Sequence, residues 1–250
     1  MKLKTGKITF NPKIRVPEKE EIILGKAAER YANRKEDRTL TYRLIAQDII
    51  EKTNPTHSEN ILEVACGTGQ LATKLFELTR NPNITATDAS EELIKIAKEK
   101  YKKYPIKFAV ENIHFHTKRG ENEVVVIKEA YHHFKEAENG MRNLLMLTKK
   151  GGWIYLIDLN RDAPIEEIKK RLNSIKDKHE KMRFLVSVNA AFTKKEMEQI
   201  LSNCQVEYQT YTIKDFSKYN LKINADLIKK DKTSELNYPN LFTIYLIQKL

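Results

Sequence analysis

The chain has 250 residues, with 45 lysine and arginine residues against 34 aspartate and glutamate residues, and so carries a formal net charge of +11. This length suits one large domain with a substantial buried core. Its two cysteines, Cys66 and Cys204, give no indication of a disulfide-forming compartment. The sequence lacks the apolar stretches of a signal peptide or a membrane span, so we expect cytoplasmic residence.

The excess of positive charge would suit nucleic acid, an anionic surface or acidic small molecules as partners. The basic residues fall in separate stretches that acidic residues mostly interleave, namely 2–19, 95–107, 169–181 and 222–232. A solvated, lysine-rich surface is therefore favoured over a dedicated nucleic-acid face. No metal site is predicted, because no cysteine or histidine cluster has metal-ligand spacing and His114 and His116 lack partners.

The chain begins with a polar arm and continues in a helical pattern. Residues 1–20 show no hydrophobic periodicity and contain Pro12 and Pro17, which predicts an arm that lies on the domain or is poorly ordered. From Glu21 to about Lys52 apolar residues recur at helical spacing. The dipeptide Asn54-Pro55 is expected to end this helical region before the first strand.

Strand and helix patterns then alternate as far as Asp158, which predicts a parallel sheet with right-handed crossovers. The most informative segment is residues 61–72, ILEVACGTGQLA, where an apolar strand leads through a glycine turn into a helix. A second apolar strand ends at Asp88, nineteen residues after Gly69. In a doubly wound sheet this spacing places turn and carboxylate side by side, where nucleotide-like ligands bind.

The residue types around this turn select a class of ligand. Glycine lets the backbone come close to the ligand, and Asp88 can accept hydrogen bonds from both ribose hydroxyls. Glu63, four residues before Gly67, would repel a diphosphate and attract a cationic amino group or sulfonium. A P-loop is excluded because no Gly-Lys-Ser/Thr sequence follows. The ligand that fits carries a ribose, an adenine and a positively charged amino-acid tail.

The pattern changes after Asp158. A long connection, residues 161–192, contains a charged helical run from Ile165 to Lys181, and a connection of this length is usually functional. Thr193-Lys194-Lys195-Glu196 predicts a capping box that opens a helix ending near Asn203. Residues 206–211 and 241–247 have strand patterns and are expected to close the sheet.

Five motifs resemble those of class I S-adenosylmethionine-dependent methyltransferases, most of all the group that includes the ubiquinone/menaquinone-biosynthesis type. The resemblance covers about residues 22–250, and its motifs occur in order at 62–69, 87–93, 108–113, 124–134 and 149–158. The sequence departs from the family pattern at three positions. Glu63 and Asn112 each stand where the family usually has aspartate, and Lys150 stands where it usually has proline.

The resemblance implies an α/β fold, with a doubly wound, mostly parallel seven-stranded sheet of the Rossmann-like type and an antiparallel last strand. It implies one methyltransferase domain, residues 21–250, preceded by the arm 1–20, with segments 21–55 and 161–192 covering the acceptor. The cofactor would be S-adenosyl-L-methionine and the product S-adenosyl-L-homocysteine. The expected cofactor-binding residues are Tyr31, Glu63, Ala65, Cys66, Gly67, Gly69, Asp88, Ala89, Asn112, Ile113 and Lys128.

The implied reaction is direct methyl transfer to a small-molecule acceptor. A general base would help if the acceptor is a hydroxyl or an acidic carbon, and histidine suits this role. His132 and His133 follow the fourth strand and are the candidate catalytic residues, with His133 favoured. Substrate choice is expected to depend on Tyr31 and on residues 161–192 and 222–238.

Three alternatives belong to other functional classes. An RNA (tRNA or rRNA) methyltransferase would account for the charge of +11, but the sequence has no Asn/Asp-Pro-Pro-Tyr/Phe motif and no paired catalytic cysteines. A non-catalytic cofactor-binding subunit is weakly suggested by Asn112 and Lys128. A nicotinamide-dependent oxidoreductase is disfavoured by Glu63.

Overall fold

The structure, a computed structural model, describes residues 4–5, 8–18, 22–32, 39–81, 83–113, 120–212 and 237–250. Its strands are β1 (Lys4–Thr5), β2 (Ile8–Thr9), β3 (Ile61–Val64), β4 (Ile84–Asp88), β5 (Lys107–Val110), β6 (Asn122–Lys128), β7 (Thr148–Leu159), β8 (Glu207–Thr212) and β9 (Phe242–Gln248). Its helices are α1 (Gly25–Ala32), α2 (Thr39–Thr53), α3 (Gln70–Thr79), α4 (Glu91–Lys100), α5 (Ala137–Leu147), α6 (Ile165–Ser174), α7 (Lys178–Ala190) and α8 (Lys194–Asn203).

Seven strands form one sheet in the order β5-β4-β3-β6-β7-β9-β8. Neighbouring strands from β5 to β7 are parallel, whereas β9 is antiparallel to both β7 and β8. This topology confirms the predicted mostly parallel seven-stranded sheet with an antiparallel last strand. The strand order reverses between β3 and β6, and the crevice outside the carboxyl ends of such strands is where ligands bind in open α/β sheets.

The central strands are apolar on both faces because helices cover both. Residues 124–127 of β6 are at most 1% exposed, and successive side chains point to opposite sides of the sheet. Val124 and Val126 belong to a core cluster that includes residues of α2 and α3. Val125 and Ile127 belong to a second cluster with residues of α5 and α8. Burial of each such side chain contributes about 1.5–3 kcal/mol.

Several predicted boundaries are confirmed. Helix α2 ends at Thr53, and Asn54 follows with a φ of 42°. The capping box is present at the start of α8, where Thr193 Oγ1 accepts from the Glu196 N–H and Glu196 Oε2 accepts from the Thr193 N–H. That helix ends at Asn203, and β8 and β9 form the closing antiparallel pair.

Two helical regions differ from the sequence prediction. The region 21–52 contains two helices, α1 and α2, separated by residues outside the described ranges. The connection 161–192 contains α6 and α7, with a break at 175–177 inside the predicted run. The break has a local cause, because the Asp177 side chain accepts from the Glu180 N–H and caps α7.

Residues 8–18 of the N-terminal arm pack on the domain. The Val16 N–H donates to the Asn189 carbonyl at 3.0 Å. The Arg15 guanidinium lies 3.9 Å from the centre of the Phe192 ring and donates to the carbonyl of His132 at 3.0 Å. Through these contacts the arm packs against both α7 and the turn after β6. None of the helices within the described ranges is long and apolar enough to cross a bilayer.

Candidate active site

A cavity of about 370 Å³ lies at the carboxyl ends of the parallel strands. Residues that follow β3, β4, β5 and β6 line it, together with side chains from helices α1, α2, α6 and α7. Its position matches the reversal of strand order between β3 and β6, and its size is typical of small-molecule sites.

The glycine turn after β3 has a backbone that few other residues could adopt. Gly67 and Gly69 have φ angles of 55° and 77°, in the left-handed region that favours glycine. A Cβ added at Gly69 would lie 2.4 Å from Cε1 of Phe108, so this position also lacks space for a side chain. The Cys66 N–H donates to the Thr87 carbonyl at 2.9 Å, which ties the turn to β4.

Asp88, at the end of β4, organises the turn. Its Oδ2 accepts from the Gly67 N–H at 2.8 Å, and its Oδ1 accepts from the Ser90 N–H at 2.9 Å. Ser90 caps α4 by accepting from the Leu93 N–H, so the cap does not depend on Asp88. Burial raises the pKa of Asp88, and the N–H groups of Ser90 and Gly67 oppose that shift.

Glu63 lies under the turn and is 3% exposed. Its Oε2 accepts from the Ala72 N–H at 2.8 Å. Burial raises the pKa of Glu63 to about 8, although the Ala72 N–H and the nearby Lys128 favour the charged form. A pKa of about 8 favours the protonated form of Glu63 at neutral pH.

Ten of the eleven predicted cofactor-binding residues line the cavity: Tyr31, Glu63, Ala65, Cys66, Gly67, Asp88, Ala89, Asn112, Ile113 and Lys128. The eleventh, Gly69, shapes the turn and starts α3. The Tyr31 hydroxyl lies over the turn, 3.0 Å from where a Cβ on Gly67 would be. The Lys128 ammonium pairs with Glu129 and lies 5.0 Å from the centre of the Tyr42 ring.

His132 and His133 form a single 3₁₀ turn with Tyr131 after β6, and both line the cavity. His132 is 2% exposed, and its Nδ1 lies 2.6 Å from Oδ1 of Asp158. Burial favours the neutral imidazole, but the Asp158 carboxylate outweighs burial and raises the pKa of His132. Burial, together with His132, lowers the pKa of His133 to about 3.

The sequence analysis did not single out four residues that lie near His132 and His133 or line the cavity beside them. Glu18 reaches the histidines from the arm, and Asp158 holds His132 from β7. Arg171 and Arg183 line the cavity from α6 and α7. A signal existed for Arg171, because it shares a helical face with the buried Ile168, Leu172 and Ile175. Two groups of predicted residues lie outside the described residues. One is most of the substrate-choice segment 222–238, which falls within 213–236, and the other is His114 and His116.

Comparison with known proteins places the glycine loop in a methyltransferase domain, since residues 62–156 match the family model of that description. A malonyl-[acyl-carrier protein] O-methyltransferase of Ilyobacter polytropus is 28% identical over 117 residues, which are 46% of this chain and 45% of that protein. A malonyl-[acyl-carrier protein] O-methyltransferase of Bacillus cereus is 25% identical over 157 residues, which are 63% of this chain and 57% of that protein. The match therefore spans about half the length of these relatives.

Solved structures show the same fold. The plantazolicin methyltransferase BpumL, in complex with a triazolic desmethylPZN analog and SAH, has a TM-score of 0.68 and 21% identity, with 90% of each chain covered. The YcgJ protein of Bacillus subtilis has a TM-score of 0.55 and 16% identity, over 82% of this chain and 97% of that protein. The domain match over residues 62–156, the sheet order and the glycine loop support the resemblance to class I S-adenosylmethionine-dependent methyltransferases.

Proposed function

We propose that this chain transfers a methyl group from S-adenosyl-L-methionine to a small-molecule acceptor bound in the same cavity. The observation that supports the proposal is that two chemically different groups of residues line the two ends of one cavity. One end has the glycine turn with Glu63 and Asp88, and the other has His132 and His133 beside α6 and α7. Such a cavity can hold a charged nucleoside cofactor and a second reactant next to each other.

The cofactor end is assigned by chemistry. Asp88 would accept hydrogen bonds from the ribose hydroxyls, because each of its oxygens retains a lone pair after binding the N–H groups of Gly67 and Ser90. Glu63 would balance the charge of the amino-acid tail, which Tyr31 would cover. The Asn112 amide oxygen would accept from the adenine amino group. Ala65, Cys66, Gly67, Ala89, Ile113 and Lys128 would complete the cofactor's surroundings.

The acceptor end would align the acceptor with the methyl group and exclude water, which are the main tasks in a direct displacement. His132 and His133 would act on the acceptor there, and segments 21–55 and 161–192 would cover it. Two of the relatives described above are named for malonyl-[acyl-carrier protein] and one solved structure for plantazolicin, and none of these three is named for an RNA substrate. These names favour a small-molecule or peptide acceptor.

Methyl transfer can be tested without knowing the acceptor. The protein is incubated with S-adenosylmethionine labelled in the methyl group and an extract of the source organism, and the products are separated into small-molecule, RNA and protein fractions. We expect label in the small-molecule fraction, and less of it with the Asp88→Ala protein when the cofactor concentration is below saturation. Label that ribonuclease removes would support the RNA alternative. No label despite measured cofactor binding would support a non-catalytic subunit.

Cofactor binding should release a proton from Glu63. The pKa of the buried Glu63 is about 8, and a cationic amino group beside the carboxyl would lower it. At about pH 6.5 the ligand amine is already protonated, so binding should release close to one proton and affinity should rise with pH toward about 8. Calorimetry in two buffers of different ionisation enthalpy counts the released protons. Equal release by the Glu63→Gln protein would contradict the assignment.

A further inference from the structure

Three potential metal ligands meet at the acceptor end of the cavity. They are Glu18 from the arm and His132 and His133 from the turn after β6, and their ligand atoms all lie within 4.8 Å of one another. Glu18 Oε2 is 3.4 Å from His133 Nδ1 and 3.9 Å from His132 Nε2. Ser187 Oγ, from α7, lies 3.1 Å from the same carboxylate oxygen and helps to hold it in place.

His132 presents a lone pair that needs a partner. Its Nδ1 lies 2.6 Å from Asp158 Oδ1, and a carboxylate can only accept, so the proton belongs on Nδ1. In the neutral imidazole, the form that binds a metal, this leaves Nε2 as an acceptor inside a side chain that is almost fully buried. Within the described part of the chain, Nε2 has no hydrogen-bond partner. Burying a polar atom without a hydrogen bond lowers the stability of the fold, and a ligand bound to Nε2 would remove this penalty.

We propose that Glu18, His132 and His133 together bind one divalent transition-metal ion, with Asp158 as a positioning residue for His132. Two imidazole nitrogens and one carboxylate form the donor set of open zinc and non-haem iron sites. A carboxylate behind a ligating histidine is the usual support that fixes the ring and its tautomer.

The distances and charges agree with such an ion. Two ligand atoms that share a tetrahedral ion at about 2.1 Å lie about 3.4 Å apart, so the observed separations require small side-chain movements. The two carboxylates, Glu18 and Asp158, offset the charge of a divalent ion. The nearby Arg15 donates to the backbone carbonyls of His132 and Phe134 and does not occupy the ligand atoms.

The role of the ion rests on the proposed function. An open coordination position facing the cavity would bind an oxygen of the acceptor and lower its pKa. The acceptor oxygen would lose its proton to solvent and attack the methyl carbon. The carbon–sulfur bond would break with its electron pair left on sulfur, giving S-adenosyl-L-homocysteine. In this scheme the histidines act as ligands instead of taking the proton themselves.

Metal binding is tested on the full chain without cofactor. The protein is stripped with a chelator, dialysed and titrated with Zn²⁺, with Co²⁺ as a spectroscopic probe and Mg²⁺ as a cation that prefers oxygen ligands. We expect one Zn²⁺ per chain, and visible Co²⁺ bands that Zn²⁺ abolishes. Affinity should fall at least about 10-fold in the His132→Ala, His133→Ala and Glu18→Gln proteins, and about 10- to 100-fold in Asp158→Asn.

Two controls keep the test decisive. His57→Ala removes an exposed histidine and should leave binding unchanged. Glu18 lies on the arm outside the sheet, so Glu18→Gln tests the site even if a histidine variant fails to fold. Absence of stoichiometric Zn²⁺ binding, or unchanged binding in Glu18→Gln and His132→Ala, would overturn the site. Metal binding without methyl transfer would overturn the proposed function alone, and full-rate transfer by metal-free protein would overturn the role of the ion.

Discussion

Replacing Arg161 with methionine should lower the free energy of unfolding by about 2–5 kcal/mol. Arg161 is 1% exposed, and its guanidinium joins three separate parts of the chain. It donates from Nε to the Pro12 carbonyl at 3.1 Å, from Nη1 to the Ala191 carbonyl and from Nη2 to the Glu196 carboxylate. Methionine fills part of the volume but leaves both carbonyls without this donor.

The loss can be measured by denaturant unfolding followed through far-UV circular dichroism. Arg80→Met is a suitable control, because Arg80 is exposed and its substitution should change stability by no more than about 0.5 kcal/mol. If Arg161→Met loses no more than the control, the buried guanidinium does not hold these segments together. Since the Glu196 side chain of this ion pair is 40% exposed, most of the expected loss comes from the carbonyls.

The Asp88→Ala substitution should weaken cofactor binding by about 1–3 kcal/mol, which is roughly 5- to 150-fold in dissociation constant. The variant loses the proposed acceptor for the ribose hydroxyls. It also loses the carboxylate that accepts from the N–H groups of Gly67 and Ser90, so the turn is less well organised before the ligand arrives. Asp88→Asn keeps one carbonyl oxygen and should lose less affinity than alanine.

Calorimetry with S-adenosylmethionine gives the affinities, and thermal unfolding of each free protein separates a loss of binding from a loss of folding. Asp162→Ala removes an exposed carboxylate and should bind as the wild-type protein does. Wild-type affinity in Asp88→Ala would mean that the ribose lies elsewhere in the cavity.

The sequence alone determined those features that depend on residues close together in the chain. Apolar runs and turn residues predicted the strands, and the glycine turn with Asp88 predicted the ligand crevice, because strand ends and left-handed turns have local signatures. The capping box at Thr193 and Glu196 was predicted for the same reason, since both partners lie within one helical turn. The break between α6 and α7 was missed because the cap at Asp177 competed with a continuous helical pattern.

The tertiary structure alone decided how the acceptor end is built. Glu18, His132 and Asp158 come from the arm, the turn after β6 and strand β7, and no spacing along the chain brings them together. The raised pKa of Glu63, about 8, likewise depends on burial, which no local pattern reveals. The local sequence determines the backbone conformation of a turn. Burial of a carboxyl and contacts between side chains far apart in the sequence arise only when the chain has folded.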